Sequence, residues 1–378
     1  MIKFIKNIGE SYSILKNILK LTDKKIKILF FSESRFDQKF SYPLINFFSK
    51  KYPNQVYYVS SDINDKFENI EINNLYVGNG LLMGLFFSII KVEYFFLTLT
   101  DLGNHSLKKN KNVNNYIYFF HTGSSTFQSF TKGAFDNYDV ILCNGQYQID
   151  EIRFREKQNN LPKKKLILTG HFYFDYMLKK INFNQKADEI LIAPSWNYKY
   201  DNYINENVVK VINELINKNY KVTFRPHPEH YKRSKNTLKL INDKFQSYTN
   251  FRFDNDLDNI KSMEKAICLI TDTSDICLEY SFLFNRPVLY LEGFNKIHNE
   301  SYSDFKDFQP IEQQFKNKFG VIIFEKEISN IDHLIEETIK NFSSKITDLN
   351  SFKNQYYFNF GKSIDEFEKV WKNQLLNS

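Results

Sequence analysis

The sequence predicts two doubly wound, Rossmann-like α/β domains with parallel sheets, facing a cleft, and three observations predict it. The chain has 378 residues, more than one ordinary compact core serves, so two domains of roughly 150 to 190 residues are the natural division. Short apolar runs alternate with helical patterns, and the alternation occurs twice along the chain. The runs are continuously apolar, as suits parallel strands covered on both faces.

Residues 1–22 come first. Met1, Ile5, Ile8, Tyr12, Leu15 and Leu19 fall on one helical stripe, with Lys3, Lys6, Lys16 and Lys20 off it. This amphipathic basic helix either packs on its own domain or lies in the interface of an anionic membrane, since both need the same apolar face. The first domain, 23–180, has strands expected near Ile26–Phe31, Gln55–Ser60, Val92–Thr98, Tyr116–Phe120, Val140–Cys143 and Leu166–Thr169. Within it the run Leu81–Ile90 is about half a membrane span and reads as a buried helix.

A polar stretch, Lys179–Asp188, forms a linker to the second domain, 181–345. Strands are expected there near Glu189–Ala193, Lys221–Arg225, Ala266–Thr271, Pro287–Leu291 and Val321–Phe324, with helices over Asn205–Asn219 and Asp275–Phe284. In the closing segment, 346–378, Ser363 and Glu366 have capping-box spacing, and Ile364, Phe367, Trp371 and Leu375 share a face. Such a helix needs a groove, and a return to the first domain would supply one.

Composition narrows the class. Hydrophobic residues are 42% and charged residues 25%, which describes a globular body and neither a disordered chain nor a disulfide scaffold. The net charge is +7, but the lysines are dispersed among asparagines and aromatics, which argues against nucleic acid as a partner. A diffuse positive field suits anionic lipid headgroups or a phosphate-bearing substrate. Cys143, Cys268 and Cys277 are far apart in apolar segments, as expected of core thiols in a reducing compartment. The lysine-interrupted N-terminus has no signal-peptide pattern.

In open α/β sheets, ligands bind beyond the carboxyl ends of strands, and four such ends carry polar residues. The first is Phe120-His121-Thr122-Gly123-Ser124-Ser125, a histidine and a small loop ahead of an expected helix. The histidine can take a proton near neutral pH, or simply hydrogen-bond within a turn. The second is Arg225-Pro226-His227-Pro228, where two prolines stiffen the strand exit and hold a guanidinium and an imidazole for phosphate oxygens, the alternative being a rigid polar turn. The third, Thr271-Asp272-Thr273-Ser274-Asp275, leads into a helix with Glu279 one turn in. Thr273 or Ser274 would cap that helix, its free N–H groups would favour a phosphate, and Glu279 would reach ribose hydroxyls or solvent. The fourth set, Gly170-His171 with Asp175 and Pro194-Ser195-Trp196, flanks the linker and would line the cleft.

The order of these segments resembles the CDP-glycerol glycerophosphotransferase family, bacterial enzymes of teichoic-acid and capsule polymer synthesis with the GT-B fold. The resemblance covers roughly residues 115–295. A His-Gly-Thr-like loop is matched by His121-Thr122-Gly123, a Gly-x-Pro-x-x-Asp-like stretch by Gly170-His171-Phe172 with Asp175, and Ala-Pro-Thr-Trp by Ala193-Pro194-Ser195-Trp196. Arg-Pro-His-Pro is intact at 225–228, and Thr-Asp-x-Ser-Ser is matched through Ser274 but ends in Asp275.

The resemblance implies a transferase on the cytoplasmic face of the membrane, peripherally bound. It would use a CDP-linked donor and a polyol-phosphate or glycan acceptor carried on lipid, with no cofactor. His121 would be the base, while Arg225, His227, Thr273 and Ser274 would hold the diphosphate. No acidic cluster has magnesium spacing, although Asp272 and Asp275 are near neighbours. Two other readings compete: a GT-B glycosyltransferase using a nucleotide sugar, towards which Asp275 leans, and a non-catalytic basic module docking on anionic membranes.

Overall fold

The computed structural model describes residues 2–22, 24, 26–100, 102–104, 107–196, 204–293 and 296–376, with the side chains of residues 2–10 and 22 outside the description. The chain divides into two compact units. Unit 1 comprises Met1–Thr122, Phe130–Tyr176 and Tyr357–Ser378; unit 2 comprises Gly123–Ser129 and Met177–Tyr356. Each has one parallel sheet.

The sheet of unit 1 contains β1 (Ile26–Ser32), β2 (Val56–Ser60), β3 (Asn73–Tyr76), β4 (Val92–Leu97), β5 (Val113–Phe119), β6 (Val140–Cys143) and β7 (Lys165–Leu168), in the order β3-β2-β1-β4-β5-β6-β7. Every pair is parallel, so the apolar runs are covered on both faces as their composition requires. On one face Leu29, Phe31, Phe95 and Tyr118 pack with Ile14, Ile18 and Leu21 of the first helix, Ile2–Thr22. On the other, Phe30, Phe96, Ile117 and Leu142 pack with Phe367, Trp371 and Leu375 of the closing segment. Trp371 sits edge-on to Phe48 at 4.7 Å and donates its indole N–H to Tyr52 Oη at 2.9 Å.

Unit 2 repeats the plan with β8 (Glu189–Ile192), β9 (Lys221–Phe224), β10 (Phe251–Phe253), β11 (Ala266–Thr271), β12 (Val288–Leu291) and β13 (Val321–Ile323), ordered β10-β9-β8-β11-β12-β13 and parallel throughout. In both sheets the strand order reverses at the centre, between β1 and β4 and between β8 and β11. Such reversals are the positions at which open α/β sheets take their ligands.

Several expectations are corrected. The first helix turns Ile14, Ile18 and Leu21 inward, whereas Tyr12 and Leu19 of the expected stripe are 68% and 49% exposed; the side chains of Met1, Ile5 and Ile8 lie outside the described residues. The run Leu81–Ile89 is helical but only half-buried, with Phe86 and Phe87 inside and Leu81 93% exposed. The helix expected after Ser125 is absent: turns occupy that stretch, and the next helix is Gln146–Gln158. At the closing helix, Ser363–Val370, the N-cap position is Lys362 and no side chain of the predicted capping box caps it. Edge strands β3 and β10 were not expected from the sequence.

Candidate functional site

In unit 1, β5 ends at Phe119 and the chain leaves the sheet through Phe120 to His121, whose ring meets Phe40 at 5.7 Å and Phe130 at 6.1 Å. His121 forms one wall of a cavity of about 240 Å³ with Glu33 and Asp37 beyond β1, Thr98, Leu99 and Thr100 beyond β4, and Leu107. The cavity therefore occupies the strand-order reversal of the first sheet. Thr122 is buried, and its carbonyl accepts a 3.0 Å hydrogen bond from Asn144 Nδ2 beyond β6. His121 is thus held between Phe40 and Phe130 at the wall of the cavity.

Gly170, His171 and Asp175 follow β7 in the same unit, but they serve the closing segment. Gly170 has φ +90°, and a Cβ there would overlap the carbonyl oxygen of Phe358 and lie 2.7 Å from Ser363 Oγ, so the close approach of two backbones requires glycine. Asp175 is buried and accepts the amides of Ser363 at 3.1 Å and Ile364 at 3.0 Å, capping the closing helix from outside its own sequence. His171 is 1% exposed among Tyr173, Phe174 and Tyr357, and neither ring nitrogen has a hydrogen-bond partner among the described residues. Burial, helped by the nearby His121, pushes its pKa down to about 3, so it is a neutral ring at physiological pH.

The loop that follows His121 crosses into unit 2. Ser124 is buried and donates to the Asp275 carboxylate. The Ser125 amide donates to Glu312 at 3.1 Å, and its hydroxyl accepts from Ile311 N at 2.9 Å. Phe127 stacks on Phe305 at 4.6 Å.

Within unit 2 the predicted segments do converge at the carboxyl edge. At the reversal between β8 and β11, Asp272 accepts from Ser195 N at 3.0 Å and Ser195 Oγ at 2.9 Å, which ties the two strand exits together beside the buried Pro194. Burial raises the Asp272 carboxyl above its usual range, against the lowering effect of Ser195 and of Lys296. Thr273 Oγ1 is buried with no hydrogen-bond partner among the described residues. The helix Ile276–Phe284 has Asp275 at its N-cap position and no side-chain cap, so neither Thr273 nor Ser274 plays the expected capping role. Its early amides are partly used: Cys277 N–H donates to Ser274 O and Leu278 N–H to Asp275 O. Glu279 is buried and accepts from Asn259 Nδ2 at 3.1 Å.

Beyond β9, the His227 Nδ1 accepts the Glu229 amide at 3.2 Å, capping the short helix Pro228–Arg233. In the neutral ring this places the proton on Nε2, which makes that atom a donor. Trp196 stacks against His227 at 6.4 Å and lies under Arg233 at 4.9 Å. Arg225 is drawn the other way: its guanidinium pairs with Asp254 at 2.8 Å and donates to Asp256 O at 2.8 Å. Burial alone would raise the Asp254 carboxyl, but Arg225 and the Ser262 hydroxyl bring it below its usual range.

Sequence reasoning missed four residues here. His230 is buried and its Nε2 lies 3.0 Å from Ser195 O, His298 sits 6.4 Å from Trp196, and Lys296 and Lys316 are within electrostatic reach of Asp272. Only His230, three residues beyond His227, carried a local signal. Among the described residues, no group of three or more histidines, cysteines or carboxylates could hold a metal.

No family model and no curated protein matches the chain. Solved structures do match in shape. The wall teichoic acid polymerase TagF aligns over 100% of this chain and 97% of its own at 16% identity, TM-score 0.61. S. aureus MnaA, solved with UDP, aligns over 93% and 98% at 12% identity, TM-score 0.63. The Methanocaldococcus jannaschii UDP-GlcNAc 2-epimerase with UDP-GlcNAc and UDP aligns over 92% and 99% at 14% identity, TM-score 0.53. The likeness drawn from the strand-end motifs is thus met in the fold, and with a parallel seven-stranded sheet in one unit and a parallel six-stranded sheet in the other, the chain has the GT-B architecture.

Proposed function

We propose that the chain is a transferase that moves a polyol phosphate, glycerol phosphate foremost, from a CDP-linked donor to a hydroxyl of a cell-surface polymer or its lipid-linked precursor. The observation that carries this reading is the carboxyl edge of unit 2, where the Nε2 donor of His227, the buried Thr273 hydroxyl and the indole of Trp196 gather at neighbouring strand exits. Two hydrogen-bond donors suit a diphosphate and a flat ring suits a base. Lys296 and Lys316 add positive charge near Asp272. The fold likeness to TagF, one variant of which was soaked with CDPG, supports the same direction.

In this reaction His121 takes the proton of the acceptor hydroxyl as its oxygen attacks the phosphorus bearing the polyol. The bond from that phosphorus to the bridging oxygen breaks, CMP leaves with the bridging oxygen, and a phosphodiester forms. His227 and Thr273 stabilise the charge that grows on the leaving phosphate. Arg225 acts on the donor through the loop it braces, since its guanidinium is engaged by Asp254 and Asp256.

Calorimetric titration with CMP, CDP, UMP and UDP tests the assignment. We expect cytidine nucleotides to bind best, with affinity reduced about tenfold or more in His227→Ala through loss of a charge-assisted hydrogen bond. A uridine preference would move the assignment to a nucleotide-sugar enzyme, the reading that Asp275 and the likeness to UDP-bound structures favour. Absence of nucleotide binding would remove the donor site altogether.

No helix among the described residues is long and apolar enough to cross a membrane. Surface attachment instead draws on the exposed Tyr12 and Leu19 beside Lys16 and Lys20. Deleting residues 1–22 would uncover the core that Ile14, Ile18 and Leu21 close, so the test uses Tyr12→Ser with Leu19→Ser. Co-sedimentation with anionic vesicles should fall severalfold while the melting temperature holds; unchanged co-sedimentation would reject attachment through this helix.

A further inference from the structure

Ser195 and Trp196 follow β8 at the reversal of the second sheet, and Ser195 is tied from two neighbouring strand exits. Its amide and hydroxyl donate to Asp272 at 3.0 Å and 2.9 Å, and its carbonyl lies 3.0 Å from Nε2 of His230. Ser195, Asp272 and His230 are all buried, so these bonds form in a medium of low dielectric. A carbonyl only accepts, so His230 carries a proton on Nε2. In the neutral ring Nδ1 then accepts from the Ser234 hydroxyl, 3.2 Å away. The short helix Pro228–Arg233 turns one side to this strand exit, because His227, His230 and Arg233 recur at every third position. His227 lies 6.4 Å from the Trp196 ring at an interplanar angle of 24°, and the Arg233 guanidinium sits 4.9 Å over the indole. Of the three, His230 alone is buried, and it acts on the backbone that carries the ring.

We propose that His230 is a positioning residue for the nucleobase: through the Ser195 carbonyl it fixes the orientation in which Trp196 offers its indole face. The proposal rests on the reading of Trp196 as the ring that meets the base, and it adds to that site a residue that touches no ligand. A ring already in place stacks more tightly than one that must be ordered on binding. Asp272 holds the turn from the β11 exit and His230 holds it from the β9 exit. Loss of His230 would leave a buried carbonyl without its donor, a penalty that the turn relieves by shifting, and Trp196 shifts with it.

The chain carries its own probe. Its two tryptophans are Trp196 and Trp371, and Trp371 is 0% exposed, so the emission that iodide quenches belongs to Trp196. Iodide quenching of the ligand-free full chain, and calorimetric titration with CDP and with inorganic pyrophosphate, are compared in wild type, His230→Leu and His230→Gln. Glutamine keeps an N–H donor near the place of Nε2, whereas leucine removes it. In His230→Leu we expect the quenching constant to change and CDP affinity to fall at least about fivefold, the lower end of what one base–aromatic stack is worth. Pyrophosphate affinity should stay as in the wild type, and His230→Gln should restore both readouts. Ser195→Ala loses the hydroxyl tie to Asp272 and keeps the backbone ties, so it should shift both readouts in the same direction to a smaller extent; it serves if His230→Leu fails to fold. Parallel losses of CDP and pyrophosphate affinity overturn the proposal, since the diphosphate site would then have gone with the helix. Unchanged CDP affinity or unchanged quenching in His230→Leu overturns it too, as does a His230→Gln that behaves like the leucine variant. A wild type that binds neither CDP nor pyrophosphate removes the donor reading and the base with it, an outcome distinct from a wild type that binds both while His230→Leu does the same.

Discussion

The exits of β5 and β7 carry the same kind of signal, a histidine close to a glycine at the carboxyl end of a parallel strand, and the fold uses them in opposite ways. Beyond β7, Gly170 admits the backbone at Phe358, Asp175 caps the closing helix, and His171 is sealed among aromatic rings. Beyond β5, His121 lines a cavity together with Glu33, Asp37, Thr98 and Thr100. The difference is what arrives from elsewhere in the chain. Tyr357–Ser378 returns to unit 1 and covers the exit of β7, so its polar residues become clamps. Unit 2 shows the same division, for Asp272 is consumed in tying β8 to β11 while the adjacent Thr273 hydroxyl has no partner among the described residues.

The comparison breaks most sharply at the two histidines. His121→Gln should lower transfer turnover by about 10²- to 10⁴-fold, the usual worth of a positioned general base, with nucleotide affinity unchanged. His171→Leu should stay within about threefold of wild type, because no reacting group depends on a buried neutral ring. Steady-state turnover of the two variants checks this, and equal losses would erase the distinction between the exits.

Gly170→Ala comes next. The left-handed φ and the overlap with Phe358 together should destabilise unit 1 by about 3 kcal/mol, visible as a lower urea midpoint. A wild-type midpoint would show that the closing segment is held loosely.

His171 also leaves a mark on acid stability. Its folded pKa, about 3, lies below the ordinary value near 6.5, so below that value the unfolded chain binds a proton that the folded one refuses. Stability should therefore fall as pH drops from about 6 towards 3, by up to about 1.4 kcal/mol per pH unit from this group. His171→Leu should flatten that slope in urea titrations across the same window, and an unaltered slope would mean that the ring is protonated in the fold.

Asp175→Ala has the smallest expected effect, about 1 kcal/mol for a lost cap. It should appear as faster amide exchange at Ser363 and Ile364, with turnover retained.

Much of this was legible in the sequence. Val140–Cys143 and Ala266–Thr271 are strands over the residues their apolar runs delimit, because a parallel strand buried on both faces needs continuous apolar side chains. The edge strands Asn73–Tyr76 and Phe251–Phe253 escaped notice because they are half-buried and need no such run. The face of the first helix was misread because Tyr12 and Leu19 have the spacing of a core stripe, yet Ile14, Ile18 and Leu21 fit the space beside Leu29 and Phe31. At the candidate site, His121 and His227 stood out through their strand-end motifs. Glu33 and Asp37 did not, because a carboxylate in a loop looks like surface until a second strand exit faces it.

Local chemistry was enough to establish two doubly wound sheets, the strand ends at which polar residues gather, and a closing helix with one apolar face, since each depends on periodicity or neighbouring residues. Folding alone settled that the loop Gly123–Ser129 belongs to unit 2, that Asp175 caps a helix far along the chain, and that Arg225 faces Asp254. Those outcomes depend on which groups meet across long sequence separations, and a buried donor or acceptor takes whichever partner the packed chain brings within hydrogen-bond reach.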